Sequence, residues 1–235
     1  MGAEKLLKLI RLEIKKHKMF GYVKAAFIAN IMMIVLACIL PIIDSIEGDS
    51  YFIDYKMMLI AIDTMVRGTF IVFSGVLIAR LIIDEYKNKT MHLLFMYPIK
   101  RHTIMLAKLI LISSFTFIAI VISNFIVTAA FYGINSFAHF ITDTITMRII
   151  AEQAVKVLFT ALFSAGLGLI PLYFGMIKKS VSTTIVTAVL LVGVVGSDIN
   201  GFSLFNVIII PVTLAAIGFM VAYMSFKNIE KVDVN

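Results

Sequence analysis

The stretch Leu109–Tyr132 reads LILISSFTFIAIVISNFIVTAAFY and contains no charged residue. The hydrocarbon core of a bilayer is about 30 Å thick, and about 20 apolar residues cross it as a helix. A helix satisfies all its backbone hydrogen bonds internally, as a lipid environment requires. The stretch therefore predicts a transmembrane helix.

The composition of the whole chain agrees with this prediction. Of its 235 residues 61% are hydrophobic and 15% are charged, and the mean hydropathy is +1.02. Soluble domains have roughly 45–50% apolar and about 25% charged residues. A soluble enzyme, a disordered chain and a disulfide scaffold are excluded, and Cys38 is the single cysteine.

Five further apolar runs are long enough to be considered as spans. We predict an all-α polytopic membrane protein with one transmembrane domain, 1–235, and six spans at about 25–43, 57–83, 106–132, 155–177, 180–197 and 202–226. Residues 84–105 form the longest loop on one side and residues 133–154 the longest on the other.

The charged residues predict the orientation. The net charge is +7, with 21 Lys and Arg residues. If both termini are cytoplasmic, all of these cations lie on the cytoplasmic side except Lys56, Arg67, Arg148 and Lys156. Cytoplasmic loops are enriched in Lys and Arg, so we expect a plasma-membrane protein with both termini inside. The charge serves topology and does not indicate nucleic-acid binding.

Residues 4–18 are too charged to span and predict an amphipathic helix at the membrane interface. On a helical wheel its apolar side chains share one half and its cations the other, with Leu12 and Glu13 out of place. Cations of such a helix lie near anionic headgroups. It serves as an anchor, as an elbow that moves the first span, or as both. The residues expected at the interface are Leu6, Lys8, Ile10, Arg11, Ile14 and Lys15.

The loop between spans two and three contains a short apolar segment. The sequence Asp84–Lys108 is DEYKNKTMHLLFMYPIKRHTIMLAK, and the Tyr97–Pro98 step ends any helix there, because proline disfavours helix in the preceding residue. An apolar helix face outside the membrane needs a covering surface. The sequence leaves two alternatives for this covering surface, a partner protein and the bilayer.

Two ionisable residues interrupt the apolar run Met57–Ala79 of the second span. Asp63 and Arg67 are four residues apart, which puts them on one helical face. They form an intrahelical ion pair or contact a substrate. The sequence contains no P-loop, no HExxH motif and no run of clustered carboxylates. We expect a non-enzymatic transport subunit, without a metal or cofactor of its own.

The layout resembles the permease subunits of ABC type-2 exporters, of the small kind found in bacterial peptide export and peptide immunity. The loop pattern of that family, E-x-x-x-x-T-x-x-x-L-x-x-x-P-x-x-R with a later lysine, is matched by Glu85, Thr90, Leu94, Pro98, Arg101 and Lys108. The resemblance implies a coupling helix that docks on a separate ATPase, which carries the ATP and Mg²⁺. The implied ATPase-coupling residues are Asp84, Glu85, Tyr86, Lys87, Thr90, Met91, Leu94, Phe95, Tyr97, Pro98, Arg101, Lys178 and Lys179.

The resemblance also implies a second permease copy, identical or paralogous, and an amphipathic peptide as substrate. The expected function is ATP-driven export of antimicrobial or toxin-type peptides from a bacterial cell. The alternative is a membrane-embedded capture subunit of an energy-coupling-factor vitamin importer, which also has six spans.

Overall fold

The computed structural model describes residues 3–47, 54–88, 101–138, 140–141, 146–196, 198–199, 202–203, 212–221 and 223. Its helices are α1 Ala3–Lys16, α2 Phe20–Glu47, α3 Tyr55–Ile78, a π-helical turn Ala79–Ile83, α4 Asp84–Lys87, α5 Arg101–Ala138, α6 Met147–Leu167, α7 Pro171–Lys178, α8 Val181–Val195 and α9 Val212–Val221. One antiparallel pair of two-residue strands, β1 Asp198–Ile199 and β2 Phe202–Ser203, follows α8.

The helical architecture is confirmed, and each of the first four predicted spans overlaps a candidate membrane-spanning helix. Four helical stretches are long and apolar enough to cross a bilayer: Phe20–Ile46, Tyr55–Lys87, Thr103–Ala138 and Met147–Lys178. The predicted spans at 180–197 and 202–226 overlap the shorter apolar helices Val181–Gly193 and Val212–Val221. The count of six spans stays a prediction.

The chain divides into two compact units, where the sequence predicts one domain. The first unit consists of Met1–Met19, Phe70–Phe117 and Leu162–Asn235, and the second of Phe20–Thr69 and Ile118–Ala161. Because the division falls inside α3, α5 and α6, each of these helices contributes residues to both units.

Helix α1 ends in a left-handed turn. Lys18 has φ 46°, the Met19 N–H donates to the Ile14 carbonyl at 3.2 Å, and the Lys18 N–H donates to the Lys15 carbonyl at 3.3 Å. This is the Schellman pattern that usually has glycine at the left-handed position. The turn buries Met19 and places His17 at the C-cap of α1.

Small residues allow close packing within the first unit. The Ser74 hydroxyl donates to the Gly168 carbonyl at 3.0 Å. A Cβ atom added to Gly168 would lie 2.6 Å from the Ser74 Oγ, and one added to Gly218 would collide with the Gly166 carbonyl oxygen. Glycine here lets two backbones approach, as small residues do in membrane helix packing.

The predicted loop 133–154 is shorter in the structure, because α5 continues to Ala138 and α6 begins at Met147. Asn135 holds the chain after α5. Its amide nitrogen donates to the Tyr55 hydroxyl and to the Ile141 carbonyl, and its Oδ1 accepts from the Ile141 N–H at 3.0 Å. These bonds lie within the second unit.

The predicted coupling loop 84–105 lies partly outside the described residues. Its start is α4, and its end is the beginning of α5 at Arg101. Residues 89–100, which contain the apolar segment and the Tyr97–Pro98 step, are not among the described residues.

We expect Gly168→Ala to destabilise the protein, because overpacking a tight contact costs about 1–3 kcal/mol. The measurement is the thermal unfolding midpoint of purified protein in detergent. The matched control is Gly193→Ala in α8, where an added Cβ meets nothing within 4 Å and alanine stabilises a helix by about 0.5–1 kcal/mol relative to glycine. Equal effects of the two substitutions would contradict the packing argument.

Candidate functional site

Five charged or titratable side chains meet in the first unit, and we call this group the charge cluster: Glu13, Lys16, His17, Glu85 and Lys108. The Lys108 Nζ lies 2.8 Å from the Glu85 Oε2 and 3.2 Å from the Glu13 Oε2. The Lys16 Nζ donates to the Glu85 Oε1 at 2.7 Å. The cluster therefore joins α1, α4 and α5, three helices that are distant in sequence.

Lys108 is at the centre of the charge cluster. Its side chain is 0% exposed, and those of Glu85 and Glu13 are 7% and 8% exposed. An ion pair buried to this degree costs several kcal/mol per ion in lost hydration, which good geometry and further hydrogen bonds offset. Removal of one partner leaves an uncompensated buried charge, typically at about 3–5 kcal/mol.

A backbone carbonyl completes the surroundings of the Lys108 ammonium group. The Lys108 Nζ donates to the Leu81 carbonyl oxygen at 2.7 Å, and Leu81 belongs to the π-helical turn. In this turn the Asp84 N–H bonds to the Ala79 carbonyl, five residues back. Single π turns in α-helices occur frequently at functional sites. Lys108 thus has two carboxylates and one carbonyl as acceptors.

His17 lies between the two carboxylates. Its Nε2 is 2.8 Å from the Glu85 Oε1 and 3.4 Å from the Glu13 Oε2. The hydrogen bonds to Glu13 and then Glu85 raise the pKa of His17, although burial opposes this shift. The positive imidazolium form is therefore favoured in the folded protein.

Glu13 is held as a carboxylate by its neighbours. Burial alone would raise its pKa, but the hydrogen bond from His17 and the positive charge of Lys108 outweigh burial and lower it. Glu13 is thus the negative group that α1 contributes to the cluster. Its apparent misplacement on the helical wheel is explained by this contact.

Three members of the charge cluster have the atoms of a metal site. The ligand atoms of Glu13, His17 and Glu85 lie within 4.8 Å of one another. The Lys108 ammonium group, however, is in contact with both carboxylates. A divalent cation there would be repelled by this lysine at short range. The arrangement favours a protein ammonium group as the cation that these carboxylates bind.

The predicted ATPase-coupling residues fall into three groups. Glu85 is buried, Asp84 and Tyr86 are half-buried, and Lys87, Lys178 and Lys179 are exposed. The side chain of Arg101, at the start of α5, lies outside the description. The remaining predicted residues are outside the described part of the chain: Thr90, Met91, Leu94, Phe95, Tyr97 and Pro98. Contact with an ATPase stays a prediction for all of them.

The Lys178–Lys179 connection is a tight turn. Lys178 ends α7, and Lys179 has φ 45° in the left-handed region. Ser180 then caps α8, where its side-chain oxygen accepts from the Thr183 N–H at 3.5 Å. Both lysine side chains are exposed and free of the packing that fixes Glu85.

The six residues predicted at the membrane interface all belong to α1. Leu6 and Ile10 are half-buried by the chain itself, and the other four are exposed: Lys8, Arg11, Ile14 and Lys15. Among the side chains of α1 that the structure describes, from Leu6 to Lys16, Glu13 is the buried one. Contact of α1 with lipid stays a prediction.

The second unit contains the Asp63–Arg67 pair. The Arg67 Nε lies 3.1 Å from the Asp63 Oδ2, with side-chain exposures of 8% and 1%. The Thr160 hydroxyl donates to the Asp63 Oδ1 at 3.4 Å. The geometry corresponds to the intrahelical ion pair that the four-residue spacing predicts.

A largely apolar cavity of about 520 Å³ lies in the second unit. It is formed by α3, α5 and α6, and its few polar lining groups are the amides of Asn124 and Gln153, the hydroxyl of Thr128 and the phenol of Tyr132. The remaining lining residues are Leu59, Val121, Phe125, Ala129, Ile150, Ala154, Val157 and Leu158. Ligand pockets are commonly apolar with a few polar groups, and volumes of about 300–1,000 Å³ are typical.

Sequence reasoning did not identify the charge cluster. Glu13 and Lys108 were both visible, Glu13 as an exception on the helical wheel and Lys108 as the lysine that follows the loop motif. Their contact depends on how α1 packs against α5. The spacing of residues within one helix does not predict such packing.

Comparison with known proteins agrees with the fold and the sequence. Residues 9–196 match the family described as ABC-2 family transporter protein. The match covers more than half of the chain, so the chain belongs to the ABC-2 transporter family. It is a membrane component, the permease half of an ABC transporter, and this membership favours the permease prediction over the vitamin-capture alternative.

Among individual proteins, the chain is similar to YcbO, an uncharacterized protein of Bacillus subtilis (strain 168). The two are 40% identical over 227 residues, which cover 97% of this chain and 100% of YcbO. No solved structure matches the chain.

The charge cluster predicts a pH-dependent stability. Because the pKa of His17 is raised on folding, its contribution is fully present below the unfolded value of about 6.5 and is lost as the pH rises through the folded value. Glu13, with its lowered pKa, contributes above about pH 4.3 and loses its contribution in more acidic solution. We therefore expect the temperature of the thermal unfolding midpoint to decrease as the pH is raised from about 6 to about 8.

The control is His17→Gln, which keeps a hydrogen-bonding side chain but does not titrate. Its midpoint should change less over the same pH interval. A slope equal to that of the unchanged protein would show that His17 is not the responsible group.

Proposed function

We propose that this chain is one permease of a dimeric, ATP-driven exporter that moves amphipathic peptides of the antimicrobial or toxin type out of a bacterial cell. ATP and Mg²⁺ bind to a separate ATPase subunit, and this chain performs no hydrolysis. Membership of the ABC-2 family supports the division of labour between the two subunits. The observation that supports an amphipathic peptide as substrate is the apolar cavity of the second unit.

The proposed topology has six spans, with both termini in the cytoplasm of a cell-membrane protein. The four long apolar stretches are the first four spans of this topology, and the shorter helices α8 and α9 are its fifth and sixth. The uneven distribution of Lys and Arg supports this orientation. In it, α1, α4 and the start of α5 lie on the cytoplasmic side, and the cavity lies toward the outside.

The cavity suits an amphipathic peptide better than a small polar solute. Phe125, Ile150 and Leu158 are at least half exposed at its rim and offer apolar contact. The amide groups of Asn124 and Gln153 line the cavity beside them. Their nitrogens donate to the Ile120 and Leu59 carbonyls, and their oxygens are the groups that can accept a hydrogen bond. A peptide with apolar and polar faces can use both kinds of contact at once.

The proposed coupling elements are the short helix in the 84–105 loop and the Lys178–Lys179 turn. Asp84 and Lys87 at the start of the loop are accessible to a partner, as are both lysines of the turn. An apolar segment next to such charges fits the core and the polar rim of a protein interface.

The substrate proposal is tested by filling the cavity with Ala154→Trp. We expect about a tenfold rise in the peptide concentration that gives half-maximal stimulation of ATP turnover, because a bulky side chain displaces apolar contacts. The measurement uses the permease–ATPase complex in proteoliposomes and a synthetic cationic amphipathic helical peptide.

Val155→Trp is the matched control, since Val155 is exposed on the same helix and does not line the cavity. It should leave the stimulation unchanged. Absence of stimulation in the unsubstituted complex by a panel of such peptides would contradict peptide export.

The docking proposal is tested with Leu94→Asp in the loop. A charge placed in the apolar centre of an interface should weaken ATPase binding by about 2 kcal/mol, or roughly thirtyfold. The measurement is ATPase co-purification with tagged permease. Leu12→Asp on α1 is the control, because Leu12 is exposed and distant from the loop in sequence. Unchanged co-purification with Leu94→Asp would favour the bilayer as the covering surface.

A further inference from the structure

The charge cluster closes the coupling loop at its base. Glu85 belongs to α4, at the start of the loop 84–105, and Lys108 belongs to α5, three residues after the end of that loop. The bond between the Glu85 Oε2 and the Lys108 Nζ measures 2.8 Å. The two ends of the loop are thus fixed to each other by a buried ion pair.

The same carboxylate also binds α1. Lys16 and His17 contact the Glu85 Oε1 at 2.7 Å and 2.8 Å, and Glu13 contacts Lys108 at 3.2 Å. Glu85 therefore accepts bonds from the end of α1 and from α5 through its two oxygens. Of the cluster members, Glu85 is the one that lies at the start of the loop and contacts the end of α1 and α5.

Glu85 and its neighbour Asp84 differ in their surroundings. Asp84 is half-exposed, and its Oδ1 accepts a bond of 3.4 Å from the Asn88 amide at the beginning of the loop. The Glu85 side chain is 7% exposed. Of these adjacent acids, Asp84 is open to a partner, and Glu85 is engaged inside the chain.

We propose that Glu85 is a positioning residue, which binds α1, α4 and α5 into one mechanical group so that movement of the coupling loop reaches the N-terminal helix as well as two spans. Glu85 contacts residues of its own chain, and the ATPase binds to other residues of the loop. This inference rests on the proposed docking of an ATPase at the 84–105 loop.

A cysteine probe on α1 tests the inference without knowledge of the substrate. Cys38 is the single cysteine, so Cys38→Ala with Leu7→Cys gives one probe, at a side chain that is 64% exposed. The measurement is the ratio of maleimide labelling rates with a non-hydrolysable ATP analogue and with ADP, in the permease–ATPase complex in proteoliposomes. ATPase co-purification is measured on the same variants.

We expect nucleotide to alter the labelling rate in the parent complex. Glu85→Gln should reduce this nucleotide dependence at least about twofold, within the range known for substitutions along coupling networks, while ATPase co-purification is retained. A purely structural role would change the rates with both nucleotides alike and leave their ratio unaltered. In the Asp84→Asn complex, the labelling rate of the α1 probe should still depend on nucleotide, even if this substitution reduces the amount of ATPase that binds.

Glu152→Gln is the matched control, because Glu152 forms an exposed ion pair with Arg148 and exposed pairs contribute little. Two results would overturn the inference: a parent complex in which nucleotide does not affect the α1 probe, and a Glu85→Gln complex with an unchanged ratio. If Glu85→Gln does not fold, Glu13→Gln decides in the same way through its contact with Lys108. Failure of the unsubstituted permease to bind the ATPase would contradict the proposed docking instead.

Discussion

The packing of α1, α4 and α5 in the first unit depends on one buried ammonium group. Lys108 is wholly enclosed and is stabilised by the carboxylates of Glu85 and Glu13 and by the Leu81 carbonyl. The loss of hydration is offset only while all these acceptors remain in place. Helices that share no sequence neighbourhood are therefore held in one arrangement, because separation of any of them would leave a charge unpaired in the protein interior.

Burial distinguishes the ion pairs of this chain more than distance does. Arg148–Glu152 is as short as the Lys108–Glu85 pair, at 2.8 Å, but its side chains are 85% and 61% exposed. Exposed pairs are screened by water and contribute about 0–1 kcal/mol. The Asp63–Arg67 pair is buried like the charge cluster, but both of its residues belong to α3, and α6 contacts it through the hydrogen bond that the Thr160 hydroxyl donates to the Asp63 Oδ1.

Local patterns in the sequence predict the local features of the structure. The uncharged run at 109–132 lies inside α5, because an apolar stretch of this length forms a spanning helix. The four-residue spacing of Asp63 and Arg67 gives their ion pair, because helix periodicity puts both on one face. By contrast, composition does not predict the bonds by which Asn135 connects the end of α5 with Tyr55 and Ile141. Similarly, Glu13 could be recognised as an exception on α1, but its partner Lys108 belongs to a distant helix. Long-range pairs of this kind require the packing that the sequence pattern leaves open.

The π-helical turn explains why Glu85, and not Asp84, faces Lys108. An α-helix turns by about 100° per residue, and a π turn adds about one residue to a helical turn. Without the turn at Ala79–Ile83, the residue at position 84 would take approximately the direction that Glu85 now has. A glutamate at this place has one methylene more than an aspartate and reaches Lys16, His17 and Lys108 together. The same rotation leaves Asp84 half-exposed at the base of the loop. Because of the π-helical turn, Glu85 therefore faces the interior and Asp84 faces the surface.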